Sequence, residues 1–303
     1  MKQIKNKPAS ILSKLKNIAR KEGIDYNLIL TLYAQSGFLY RLSISPYVDN
    51  FLLKGGLLLF SLDKFATRPT KDIDFLVHNF KNDVDTIRNL LLEIIEIKCD
   101  DGLNFRKDDL TVKKILEQGR YEGIRAGISY TLGKTRNRLQ IDIGFGDVVI
   151  PKPVNLEFPV LLETQQIPII KAYSLESTIA EKFEAMIALS FFNSRMKDFY
   201  DIYILSKRKN FDGRVLQEAI METFQRRGTP IERNHPIFQS KFIHSPEKQL
   251  AWSSFRKRVR EKTPETFDEI MKQLITFLLP IYNAICDEEE YFLKWDASSS
   301  RWL

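Results

Sequence analysis

Apolar residues in the first part of the chain recur at helical spacing. Ile11, Leu12, Leu15, Ile18 and Ala19 share one face of a segment that Ser10 can cap and Gly23 can end, and the pattern repeats from Tyr26 to Leu42. After Pro46, Phe51-Leu52-Leu53 leads through Lys54-Gly55-Gly56 into a short apolar helix, Leu57 to Leu62. A polar loop, Thr67 to Lys71, precedes Asp72-Ile73-Asp74-Phe75-Leu76-Val77, which alternates and then turns apolar, as a strand entering a core does. Asp83 can cap a helix from Val84 to Ile97. Tyr121 to Tyr130 and Arg138 to Phe145 alternate as the two arms of a hairpin around Leu132-Gly133-Lys134-Thr135.

Pro151, Pro153, Pro159 and Pro168 mark an irregular crossing, after which Ser174 opens a helix from Leu175 to Leu189. Helical periodicity continues over Lys197 to Lys207, Gly213 to Phe224, Pro246 to Glu261 and Pro264 to Ile285. The pattern predicts an α+β protein: a helical segment over 1–50, a mixed β-sheet core with flanking helices over 51–170, and a helical C-terminal half over 171–303.

Composition supports a folded core, with 44% hydrophobic residues in 303. The apolar runs near Leu90–Ile97 and Ile275–Ile285 are too short or interrupted to span a bilayer, and Lys2, Lys5 and Lys7 lead into an amphipathic segment, so no membrane is expected. Cys99 and Cys286 stand far apart without metal-ligand spacing, which argues against a disulfide framework or a zinc site and fits the cytoplasm. His78, His235 and His244 show no paired spacing either. A net charge of +7 favours a polyanionic partner such as RNA. The basic residues gather in Lys2–Lys21, Arg120–Arg138 and Arg256–Arg260, and each run alone reads equally as a solvated face.

The chemistry gathers on carboxylates. Asp72 and Asp74 alternate on a strand and therefore project to one side, where their repulsion calls for a divalent cation or a nearby arginine. Magnesium binds through one or two carboxylates together with substrate phosphates, which suits a nucleoside triphosphate. Gly55 and Gly56 permit close backbone approach and a turn into a helix N-terminus, a ready site for phosphate. Asp142, on the second hairpin strand, can join the pair as a metal ligand or take the proton of an attacking hydroxyl. Lys182, on the Ser174 helix, can neutralise a triphosphate, and Arg195 and Lys197 can do likewise. Asp198 and Asp201, three apart on one helical face, can orient these cations or simply close an ion-pair cluster between helices. Arg68 and Thr70 can contact phosphate or fix the loop. The P-loop and nucleophile-elbow patterns are absent.

The succession of glycine turn, short helix, Asp-x-Asp strand and later lone aspartate resembles the nucleotidyltransferase superfamily. The closer resemblance is to the AbiEii toxins of type IV toxin–antitoxin systems. It is carried by Phe38-Leu39-Tyr40-Arg41-Leu42-Ser43, by Phe51 to Leu59 around Lys54-Gly55-Gly56, and by Arg68-Pro69-Thr70-Lys71-Asp72-Ile73-Asp74-Phe75. Ala180-Glu181-Lys182-Phe183-Glu184-Ala185 and Arg195-Met196-Lys197-Asp198-Phe199-Tyr200-Asp201 look like the family's downstream motif.

The resemblance implies a nucleotidyltransferase-like sheet and transfer of a nucleoside monophosphate from an NTP to an acceptor hydroxyl, with Mg2+ or Mn2+. It implies RNA, tRNA 3′ ends especially, as acceptor, a block to translation that serves phage defence, and a separately encoded antitoxin. Asp72, Asp74 and Asp142 are then metal ligands and, with Lys182, catalytic. Lys54, Gly55, Gly56, Arg68, Thr70, Arg195 and Lys197 bind nucleotide or phosphate, Asp198 and Asp201 support them, and the helical half contributes to the active site. The alternatives are a small-molecule nucleotidyltransferase, a protein phosphotransferase on the same fold, and an inactive domain that binds RNA or a partner.

Overall fold

A computed structural model describes residues 6–64, 68–117, 121–259 and 263–303. Lys2, Lys5, Thr67, Arg120, Arg260 and Glu261, named above, lie outside the described residues. The chain divides into two compact units, one of residues 1–146 and 154–172 and the other of residues 147–153 and 173–303.

The first unit opens with α1 (Lys7–Glu22), which begins earlier than Ser10 suggests. Asn6 is the cap, accepting from the Ala9 amide at 3.1 Å, because Pro8 carries no N–H and fits the first helical turn. Gly23 ends the helix in the left-handed conformation. Helix α2 (Tyr26–Ser43) is buried along most of its length. Next come β1 (Phe51–Lys54), α3 (Gly55–Asp63), β2 (Asp72–Val77) and α4 (Val84–Glu96), which Asp83 caps. The sheet continues with β3 (Leu103–Phe105), β4 (Thr111–Glu117), β5 (Tyr121–Leu132), β6 (Thr135–Phe145), β7 (Val154–Glu157) and β8 (Ile169–Ala172).

These eight strands form one mixed sheet in the order β3-β5-β6-β2-β1-β8-β7, with β4 also on β5. The pairs β2/β6 and β1/β8 are parallel and the others antiparallel. The proline-marked crossing thus holds two strands, β7 and β8, the latter lying beside β1. On β2, Ile73 and Phe75 enter the core while Asp72 and Asp74 remain partly exposed. Phe38 of α2 and Phe51 of β1 pack against Phe75, so the face opposite the carboxylates is sealed by aromatic contacts.

The second unit contains α5 (Leu175–Leu189), α6 (Met196–Arg208), β9 (Phe211–Asp212), α7 (Gly213–Arg227), α8 (Ser240–Ile243), α9 (Pro246–Arg256) and α10 (Phe267–Cys286). Strands β10 (Lys294–Asp296) and β11 (Arg301–Trp302) complete a small sheet ordered β11-β10-β9, which helical periodicity did not announce. Phe183, Phe224, Phe238 and Tyr282 form one core cluster, and Phe277, Trp295 and Trp302 another. Among the described residues, no helix is long and apolar enough to cross a membrane.

Candidate functional site

Strand register assembles the carboxylates of the first unit. Asp74 is the Cα partner of Asp142 on parallel β6 and of Lys54 on antiparallel β1, while Asp142 is the partner of Arg125 on β5. Paired residues project to the same face of a sheet, so Arg125, Asp142, Asp74 and Lys54 form a row across four strands, with charges plus, minus, minus, plus. Asp72 lies two residues before Asp74 on that face, with Gln140 as its register partner. An arginine does stand in this row, Arg125, and its bonds go to Asp142. Its Nε donates to Asp142 Oδ1 and its Nη2 to Asp142 Oδ2, both at 2.8 Å. The bond to Asp142 pushes the Arg125 pKa further up, as do the charges of Asp142, Asp72 and Asp74, against a smaller opposing effect of burial. Gln140 Nε2 adds a contact to Asp142 Oδ2 at 3.3 Å.

Hairpin counting was the signal that could have found Arg125. A two-residue loop, Gly133-Lys134, pairs Leu132 with Thr135, and the same antiparallel register brings Arg125 opposite Asp142.

The glycines have a more specific task than close approach alone. Gly55 sits at a φ of +69°, and a Cβ built there would overlap the Asp74 carboxylate. The turn therefore makes room for Asp74 itself, beside the N-terminus of α3, whose positive dipole end favours the anion. A Cβ at Gly56 would meet Thr70 Oγ1 at 2.8 Å and an Arg68 guanidinium nitrogen at 3.1 Å, so these two residues close over the first turn of α3. No side chain caps that helix. Gln35 of α2 donates to the Lys71 carbonyl at 2.9 Å and anchors the approach to β2.

The second unit collects the other named residues around Lys182. Its Nζ donates to Asp198 Oδ1 at 3.1 Å and to Asp201 Oδ2 at 2.7 Å, joining α5 to α6. Both carboxylates are fully buried, at 0% and 1% exposure, and Arg195 Nε lies 2.7 Å from Asp198 Oδ2. Lys197 is exposed on the same helix. Burial alone would raise the Asp198 carboxyl, but Lys182, Arg195 and Lys197 outweigh it and hold the pKa at about 2.

A folded-state pKa below the unfolded value stabilises the fold above the unfolded pKa, and this stabilisation fades as pH falls through the folded one. We expect Asp198 to contribute about 2 kcal/mol at neutral pH, lost between about pH 4 and 2. Urea unfolding from pH 6 to 2 tests this. An Asp198→Asn variant should show a shallower acid decline, and an equally steep decline would refute the coupling.

Two further residues hold this arrangement. Arg227, at the end of α7, reaches Glu184 at 2.9 Å and both Asp147 and Glu181 at 3.0 Å, which fixes the helix carrying Lys182. Lys248 of α9 donates to the carbonyls of Phe191 and Asn193 at 2.8 and 2.5 Å, and Asn193 Oδ1 accepts from the Arg195 amide at 2.7 Å. The turn that delivers Arg195 is thus tied down from a region in which the sequence showed only helical periodicity.

Among the described residues no group of three or more His, Cys, Asp or Glu side chains is arranged as a metal site. The donors that fit a hard cation are Asp72 and Asp74. The Asp74 carboxylate has no hydrogen bond or ion pair among the described residues, whereas both oxygens of Asp142 are engaged by Arg125.

A family model described as the nucleotidyl transferase AbiEii toxin of type IV TA systems matches residues 37–273. No curated protein matches the sequence. Two crystal structures share the fold. One, a candidate nucleotidyltransferase from H. pylori, is 15% identical with a TM-score of 0.52, over 88% of this chain and 100% of that one. The other, JHP933 from Helicobacter pylori, is 15% identical with a TM-score of 0.51, over 87% and 95%.

Proposed function

The chain belongs to the AbiEii nucleotidyltransferase toxin family of type IV toxin–antitoxin systems, and from that membership we propose that it transfers a nucleoside monophosphate from an NTP to a hydroxyl of RNA, tRNA 3′ ends in particular. The observation that carries the chemistry is the Arg125–Asp142–Asp74–Lys54 row beside the Gly55-Gly56 turn. The acceptor oxygen bonds to the α-phosphorus, the bond from that phosphorus to the αβ-bridging oxygen breaks, and pyrophosphate leaves with the electron pair.

Asp72 and Asp74 would hold Mg2+ or Mn2+, which when bound neutralises phosphate charge and makes the acceptor hydroxyl more acidic. Asp142, aligned by Arg125, accepts a hydrogen bond from the acceptor hydroxyl and takes up its proton. The amides of the first α3 turn, with Arg68, Thr70 and Lys54, receive phosphate oxygens. For Lys182 the support is the family motif and its charge. In this reading it offsets the negative charge on departing pyrophosphate, joined by Arg195 and Lys197, while Asp198 and Asp201 keep its ammonium oriented. Capping of tRNA ends would halt translation, which suits phage defence and requires a cognate antitoxin.

Incubation with NTPs labelled at the α or γ position, together with total RNA, protein or small acceptors, tests the reading. The expected outcome is α label in RNA, lost on chelation of divalent ions. Label from the γ position in protein would indicate a phosphotransferase, and α label in small acceptors an antibiotic-type enzyme. Transfer to none would indicate a binding domain.

A further inference from the structure

Beside the carboxylate row, the first unit contains an open cavity of about 640 Å³. Its floor is the polar face of the β4–β5–β6 sheet, and Asn27 and Thr31 of α2, with Lys71, contribute to its lining. On β6, Arg136, Arg138, Gln140 and Asp142 alternate with inward-facing Leu139 and Ile141, so four polar side chains point along one line toward the row. On β4, Lys113 is the register partner of Arg125 and extends the row by one more cation.

Arg138 lies flat across β5. It donates to the Gly127 carbonyl at 3.2 Å and to the Thr111 hydroxyl, in space that a Cβ on Gly127 would fill. Lys71 and Lys113 have no ion-pair partner among the described residues. Arg136 is paired with Asp109 at 2.7 Å. Among the described residues the lining includes Lys71, Lys113, Arg125, Arg136 and Arg138 against a single carboxylate, Asp72, and no aromatic side chain.

We infer that this cavity is a track for the phosphodiester backbone of a single-stranded polynucleotide, running along β6 and delivering a terminal hydroxyl to Asp142. Residues two apart on a strand are spaced about 7 Å, so Arg136 to Asp142 spans roughly 20 Å, longer than one triphosphate and suited to several nucleotides. Cations without partners can exchange small counterions for phosphates, whereas a satisfied ion-pair lattice would gain little. With no aromatic platform for bases among the described lining residues, recognition here should be of backbone rather than sequence, with strong salt dependence. The delivery of a reacting hydroxyl rests on the nucleotidyl-transfer reading, but binding of the strand does not.

The test is fluorescence anisotropy with a labelled short single-stranded RNA and the full chain. Wild type should bind in low salt and lose affinity steeply as salt rises. Lys113→Glu/Arg138→Glu should bind about 10-fold or more weakly with a reduced salt slope, and an exposed control in the other unit, Lys241→Glu, should bind as wild type. If the double variant melts early, Lys71→Ala/Lys113→Ala removes two cations that hold no ion-pair partner among the described residues and should weaken binding in the same direction. Undiminished binding by folded variants, absence of binding by wild type, or equal binding of an acidic peptide of matched charge would each overturn the inference. The transfer reading is judged separately: α label that reaches RNA in wild type but not in Asp74→Asn sustains it even if the track variants bind normally. Lost binding in those variants sustains the track even if no transfer occurs.

Discussion

Asp74→Asn is expected to lower nucleotidyl transfer at least about 1,000-fold, a loss of roughly 4 kcal/mol of transition-state stabilisation, while the protein stays folded. The substitution is nearly isosteric, so the space that Gly55 leaves for this side chain is still filled. It removes one of two adjacent negative charges in the row, and Lys54 and Arg125 retain Asp142 and Asp72 to offset them. Stability should therefore change by no more than about 1 kcal/mol, in either direction. What disappears is a carboxylate that makes no side-chain hydrogen bond or ion pair among the described residues, and to which the proposed function assigns a divalent cation shared with substrate phosphate. Single-turnover transfer of α label, read beside a thermal melt, checks both parts, and growth inhibition on expression should vanish with the activity. Near-normal transfer in the folded variant would sink the metal assignment and the catalytic place given to this strand.

The parts of this site that were readable from sequence were those set by short-range rules. Alternation alone put Asp72 and Asp74 on one face, and the two-residue hairpin loop contained the Arg125–Asp142 pairing for anyone who counted back from it. Lys54 could be located only as a neighbour of Gly55. Its position beside Asp74 depends on the β1/β2 register, which is a non-local choice. Strands β7 and β8 escaped notice because four-residue strands between prolines show almost no periodicity, and β8 is selected by pairing with β1. The Gly55 requirement was legible as a glycine turn, but its cause, the Asp74 carboxylate over the Cα, exists only once the strands pair. The same holds for Arg227 and Lys248, each of which binds groups more than forty residues away in sequence.

Lys182→Met should have the second largest effect, and it separates the structural task of this ammonium group from the catalytic one proposed for it. Asp198 and Asp201 are almost wholly excluded from water, so loss of Lys182 takes away the ammonium that these two buried carboxylates share. Breaking a buried pair from one side costs about 3–5 kcal/mol. The deficit should be greatest at neutral pH and shrink as pH falls, because the stranded carboxylates accept protons more readily than those of wild type. Denaturant midpoints from pH 7 to 4 measure this. A deficit that grows on acidification would contradict it. Asp201→Asn in the Lys182→Met background should return most of the stability, since a neutral amide needs no counter-charge. Transfer decides the rest, with Asp201→Asn alone as the reference. If that single variant keeps measurable activity and the double variant, equally folded, has none, the ammonium acts on the nucleotide. If the double variant matches the single one, Lys182 is only the counter-ion of a buried pair, and the charge on pyrophosphate must be met by other cations of the chain.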